Sequence, residues 1–156
     1  MQPEYFVRHY PNNASVGTRA YQMALYVTFE SGIQMLSDNP TFYLRDKDCT
    51  DFMTSVPVTW DETKVLAASV GEYLVVAKRK GAQWFIGGIT AEKGYEVEIS
   101  LDFLDNNRFY QMTVFTDGLN AGLQALDYNK ESKTVSKAQA LKVKMVRNGG
   151  FAAVLK

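Results

Sequence analysis

The chain has 156 residues, room for one domain or for a small domain with an appendage. Hydrophobic residues make up 46% and charged residues 22%, an ordinary globular balance, and Lys plus Arg equals Asp plus Glu at 17 each. Neutrality without a basic tract argues against a nucleic-acid partner, and the single cysteine, Cys49, excludes an internal disulfide or a CxxC metal cluster.

The first fifteen residues are polar, with Pro3, Pro11, Asn12 and Asn13, and predict an extended or loop segment without the residue order of a signal peptide. A helix start follows near Ser15 to Thr18. Residues 19–29 then predict a helix in which eight of eleven residues are apolar or aromatic: Ala20, Tyr21, Met23, Ala24, Leu25, Tyr26, Val27 and Phe29. A surface helix of a small domain carries one apolar stripe, whereas this one is apolar nearly all round. It is too short, and too closely flanked by Arg19 and Glu30, to span a bilayer. One side is expected to lie on β structure and the other on something outside this sequence, as in the tail of a larger protein. Glu30, Ser31 and Gly32 are expected to bend the helix, residues 33–36 to add a turn, and Asp38, Asn39 and Pro40 to stop it. Residues 43–56 predict a loop and a short helix capped by Thr50 or Asp51, closed by Pro57.

From Val58 the periodicity changes. Residues 64–68 and 73–80 are rich in β-branched and aromatic types, and Gly81-Ala82 marks a hairpin turn into residues 83–90. Residues 95–101 alternate strictly, with Tyr95, Val97, Ile99 and Leu101 on one face and Glu96, Glu98 and Ser100 on the other, the pattern of a half-buried antiparallel strand. Asp105, Asn106 and Asn107 form a turn, residues 108–116 another strand, and Asp117-Gly118 a further turn. Residues 134–146 and 151–155 read as the last two strands, joined at Asn148-Gly149-Gly150. Many short strands with turn signals between them indicate an antiparallel β-sandwich or barrel, and the helical and β parts divide near residues 57–61.

The candidate chemistry is thin. Asp61 and Glu62 are adjacent, so on a strand they point to opposite faces and cannot form a glycosidase pair with each other. Glu30, at the end of an apolar helix, is expected to make a salt bridge to Arg19 or Arg45. Asp102, Asp105, Asn106 and Asn107 lack the spacing, the Gly and the Glu of a calcium loop and read as a polar turn. His9 is the only histidine and a poor metal nucleus, and Cys49 has no histidine beside it to make a nucleophile. Trp60 and Trp84 are the candidate carbohydrate contacts, with Tyr73, Tyr95, Phe109 and Tyr110 as further rings, although aromatics on strands usually bury their area in the core.

The segment GTRAYQMALYVTFESGIQMLSDNP, then Tyr43-Leu44, FMTSVPVTWDETKVL and GEYLVVAKRKGAQWFIGGIT, resembles the C-terminal part of glycoside hydrolase family 97, α-glucosidases and α-galactosidases of bacterial starch-utilisation type. The resemblance runs from about Gly17 to the end, with Gly32 and Tyr21 standing where proline and histidine are expected. It implies a β-sandwich after a (β/α)8 barrel, with residues 1–57 resembling the last part of that barrel and residues 58–156 forming the sandwich. Catalytic carboxylates and calcium ligands are implied for earlier segments, so no catalytic, metal or cofactor residue carries over to this chain. The implied role is a non-catalytic module packed against the barrel of an exported or periplasmic parent. The alternatives are a carbohydrate-binding module that takes an oligosaccharide, and a domain that self-associates through the stretch from Ala20 to Phe29.

Overall fold

The computed structural model describes residues 15–36 and 39–156. His9, Asp38 and nearly all of the polar segment at the start lie outside the described residues. Three helices come first: α1 (Arg19–Thr28), α2 (Pro40–Arg45) and α3 (Lys47–Ser55). Eight strands follow: β1 (Glu62–Ser69), β2 (Tyr73–Lys80), β3 (Gln83–Thr90), β4 (Tyr95–Ser100), β5 (Phe109–Asp117), β6 (Tyr128–Ser136), β7 (Ala140–Met145) and β8 (Gly150–Leu155).

The strands make an antiparallel sandwich of unequal halves. A six-stranded sheet runs in the order β1-β2-β3-β8-β5-β6, and β4 pairs with β7 in a two-stranded sheet. The mainly β class read from the sequence is the observed one. Because side chains alternate across a strand, the larger sheet feeds two cores. Val75, Ala77, Trp84, Ile86, Tyr110, Met112, Val114, Phe151, Ala153 and Leu155 meet Val97, Ile99, Leu141, Val143 and Met145 of the small sheet. On the opposite face Val76, Phe85, Phe115, Ala152 and Val154 meet Met23, Ala24 and Val27 of α1 and Cys49 and Phe52 of α3. The molecule is therefore three layers deep. That explains why β8, GFAAVL, is buried at every position: a central strand covered on both faces has no reason to alternate. By contrast β4 has one wet face and keeps the alternation its sequence displays.

Helix α1 reaches the sheet closely because Ala20 and Ala24 are small and because Gly87 lies beneath it. A Cβ on Gly87 would stand 2.9 Å from Val27 Cβ and 3.0 Å from the Ala24 carbonyl oxygen. Thr18 starts the helix, its hydroxyl accepting from the Tyr21 amide at 3.1 Å.

Four expectations change. Residues 33–36 are not helical; the Gln34 amide and the Met35 carbonyl instead bond back to the carbonyl and hydroxyl of Tyr26. Asn39 does not stop α1 but caps α2 through the Thr41 amide at 2.9 Å, with Pro40 at the first helical position. The next helix begins at Asp46 rather than at Thr50 or Asp51, which lie inside α3; the Thr50 hydroxyl donates back to the Asp46 carbonyl. Finally, residues 134–146 are two strands. β6 begins at Tyr128, and the chain reverses between Ser136 and Ala140, where the Gln139 side chain accepts from the Ser136 amide at 2.7 Å. No Gly, Pro or Asn marks that reversal, and β6 is a mostly exposed edge strand whose polar sequence buries only Val135.

Candidate functional site

Among the described residues, half of the exposed large hydrophobic side chains lie in or beside the helical layer. Ala20, Met23, Ala24 and Val27 of α1 are buried on the sheet, while Tyr21, Leu25 and Tyr26 on its flank are only half-buried and Phe29 is 56% exposed. Past the helix the chain folds back along Tyr26, leaving Ile33 and Met35 exposed, and α2 adds Phe42 and Leu44. One flank of α1 thus lies on the sheet of this same chain, and the other is half-buried apart from the exposed Phe29. At the start of α1 the loop between β5 and β6 is held by the Arg19 amide, which donates to the Ala125 carbonyl at 2.7 Å. That loop exposes Leu119, Leu123 and Leu126.

Ion pairs pin this layer to the sheet. Lys78 of β2, 1% exposed, gives its ammonium to Glu30 at 2.6 Å beside the Trp60 ring. Glu30 therefore pairs with neither Arg19 nor Arg45, because residue 30 is turned over the sheet. Arg19 pairs instead with Asp46, and Lys130 with Asp48.

A second polar arrangement was not identified from the sequence. Asp117, read there as half of a turn, is the buried last residue of β5. One carboxylate oxygen accepts from the Thr18 hydroxyl at 2.5 Å, the other from the Val146 and Gly150 amides at 3.0 Å each. A Cβ on Gly149 would stand 2.1 Å from that second oxygen, so only glycine fits there. Burial pushes the Asp117 carboxyl above the usual carboxylate range, and the three hydrogen bonds pull it back. The group ties the start of α1 to the β7–β8 turn, and with both oxygens occupied it is structural. Sequence offered one faint signal, the Asp-Gly and Asn-Gly-Gly clusters at the same end of neighbouring strands.

The sequence-derived sugar contacts do not form a platform. Trp84 is 3% exposed and packs edge-on against Phe103 with Arg79 over its ring. Trp60 is half-buried, edge-on to Phe85 on the helical side of the sheet. Tyr110 is buried, its hydroxyl donating to Asp105, and Tyr73 and Tyr95 pack on each other. Phe109 alone of these rings is largely exposed. Asp61 accepts from the Gly81 amide at 2.7 Å and Lys80, while Glu62 is held by Lys64 and Arg79; both carboxyls are drawn below their ordinary range by these partners. An open crevice of about 440 Å³ is lined by Glu62 and Asp105, each paired with its own arginine, Arg79 and Arg108. Asp102 and Asp105 lie in the polar turn, where Asn107 takes a left-handed conformation. Among the described residues no three His, Cys, Asp or Glu side chains converge to hold a metal, and no helix is long and apolar enough to cross a membrane. Cys49 is buried against the sheet, and burial pushes its thiol up, away from a nucleophile's range.

A family model described as "Glycosyl-hydrolase 97 C-terminal, oligomerisation" matches residues 59–156. A retaining alpha-galactosidase of Bacteroides thetaiotaomicron is 43% identical over 147 residues, 94% of this chain and 22% of the relative. A probable retaining alpha-galactosidase of Streptomyces bingchenggensis is 33% identical over 146 residues, again 94% of this chain and 22% of the relative. Among solved structures, a Glycoside Hydrolase Family 97 enzyme from Pseudoalteromonas sp. strain K8, in complex with acarbose, superposes with a TM-score of 0.86 at 36% identity, covering 90% of this chain and 22% of that one. The chain thus spans about a fifth of the length of the relatives it matches.

Proposed function

This chain belongs to the C-terminal module family of glycoside hydrolase 97, and from that premise we propose that it is a non-catalytic packing module for the catalytic barrel of an enzyme acting on α-linked galactosides or glucosides. The observation that carries the reading is the two-sided character of α1. Its small residues seat on the sandwich over Gly87, and its other flank presents Tyr21, Leu25, Tyr26 and Phe29 half-covered or bare. A helix shared between two bodies needs that composition, and the last helix of a barrel lies between the barrel sheet and its neighbours. In this reading residues 1–57 close the barrel, residues 58–156 form the sandwich, and calcium and the catalytic carboxylates belong to the barrel.

The chemistry of the described residues supports the absence of turnover. The two carboxylates that line the crevice, Glu62 and Asp105, are each engaged by an arginine, whereas glycoside hydrolysis needs a pair of carboxyl groups held across the scissile bond. Carbohydrate binding has less support, because Trp84 is enclosed. Self-association through the stretch from Ala20 to Phe29 competes with the barrel for the same flank of α1.

The test combines the purified chain with a separately produced family 97 barrel lacking this module. The chain alone should release no p-nitrophenol from the α-galactoside or α-glucoside above a boiled control, and should form a complex with the barrel that Leu25→Asp abolishes. Turnover by the chain, or a complex indifferent to Leu25→Asp, contradicts the assignment.

A further inference from the structure

We propose that Asn148 is a self-modifying site whose spontaneous deamidation is held in check by the fold, and that its conversion to isoaspartate loosens α1 from the sandwich. The inference needs no partner and stands apart from the packing role.

The chemistry begins in the sequence. Asn148 is the one asparagine followed by glycine; Asn39 precedes Pro40, which has no amide hydrogen, and the others precede residues with side chains. Before glycine the next amide reaches the asparagine side chain most easily, because no Cβ stands in the way. The Gly149 nitrogen bonds to the side-chain carbonyl carbon of Asn148. The amide proton and the side-chain NH2 leave together as ammonia. Water then opens the cyclic imide at either carbonyl, giving aspartate or isoaspartate.

The fold blocks the first step. The Gly149 amide donates to the Val146 carbonyl at 2.9 Å and to the Thr90 hydroxyl at 3.2 Å, so its nitrogen is held away from attack. Asn148 sits at φ 50°, its own amide donating to the Ala91 carbonyl at 2.8 Å and its carbonyl accepting from the Thr18 amide at 3.1 Å. Asp117 fastens the turn on both sides of the pair, through the Val146 and Gly150 amides. With both residues pinned, attack waits for the β7–β8 turn to open, and its rate follows the open fraction.

The same contacts determine what conversion does. Isoaspartate adds a carbon to the main chain at residue 148, which displaces the carbonyl that holds the Thr18 amide. It also leaves a new carboxylate one residue from Gly149, against which the Asp117 carboxylate is packed. Like charges beside a buried carboxylate disfavour one another. Thr18 is where α1 begins and where Asp117 ties it down, so both effects fall on the seat of the helical layer that covers Cys49.

Incubation of the chain in mildly alkaline buffer, followed by peptide mapping in a mass spectrometer, tests this. Conversion at Asn148 should run at least about tenfold slower in the folded chain than in the same chain unfolded in guanidinium chloride, the ratio for a turn open less than about a tenth of the time. Thr90→Val removes one acceptor of the Gly149 amide, and Asp117→Ala unfastens the turn; each should speed conversion in the folded chain by about threefold or more. The isoaspartate fraction, separated by its extra negative charge, should expose Cys49 to Ellman's reagent about fivefold faster than the unconverted chain, the effect of one lost buried hydrogen bond. Asn148→Gly suits the positive φ and lacks the reacting amide, so its Cys49 labelling should not change on incubation. Equal conversion in folded and unfolded chains, variants no faster than wild type, labelling unaltered by conversion, or a rise in labelling that Asn148→Gly shares each overturns the proposal.

Discussion

Replacing Asp117 by alanine tests the claim that one buried carboxylate fastens the helical layer to the sandwich. In the native chain it accepts from Thr18, Val146 and Gly150 at 2.5, 3.0 and 3.0 Å. Three hydrogen bonds to a charged group would stabilise the fold by several kcal/mol, but burying the charge offsets part of that, and the raised carboxyl pKa shows desolvation to be the larger influence on its ionisation. What alanine removes is the acceptor, leaving two amides at the β7–β8 turn with no partner. At roughly 1–3 kcal/mol for each orphaned buried donor, the expected loss is about 3 kcal/mol. For a chain of this length each kcal/mol moves the melting midpoint by about 2–4 °C, so Asp117→Ala should lower Tm by about 6–12 °C in a calorimetric scan. Asp117→Asn keeps an oxygen for the two amides and should cost about 1 kcal/mol or less. The pH dependence adds a sign. A carboxyl whose folded pKa is raised binds its proton more readily in the native state, so its contribution is fully present below the ordinary aspartate range. It is lost as pH rises through the raised native value. Wild-type stability should therefore carry a component that declines over that window, and Asp117→Asn should remove it. A midpoint within about 2 °C of wild type for Asp117→Ala, by the same conversion, would refute the reasoning.

Two further outcomes follow from the same packing. Gly87→Val should destabilise the chain by about 1–3 kcal/mol in urea titration, because its Cβ meets Val27 at 2.9 Å and the Ala24 carbonyl oxygen at 3.0 Å; unchanged stability would mean α1 is not seated as described. Cys49, buried and with its thiol pushed up by burial, should react with Ellman's reagent only as fast as the helical layer opens, and denaturant should release the full reaction. Rapid stoichiometric labelling of the folded chain would contradict that.

The sequence by itself determined the strands that have one wet face. β4 could be read because Val97 and Ile99 point into the core while Glu96 and Glu98 point to water, and β2 and β3 because a Gly81 turn separates two apolar runs. It also determined that α1 is apolar beyond a single stripe, since composition alone sets that. Tertiary structure decided everything that depends on which segment comes to lie beside which. Glu30 found Lys78, 48 residues away, rather than a nearby arginine, and Asp117 found Thr18, 99 residues away. Trp84 came to lie edge-on to Phe103, 19 residues away. Local pattern records whether a residue faces water or protein, because that preference is written in its own side chain. It does not record the partner, because a hydrogen bond or a ring contact is a property of two positions and the chain's path brings them together only on folding.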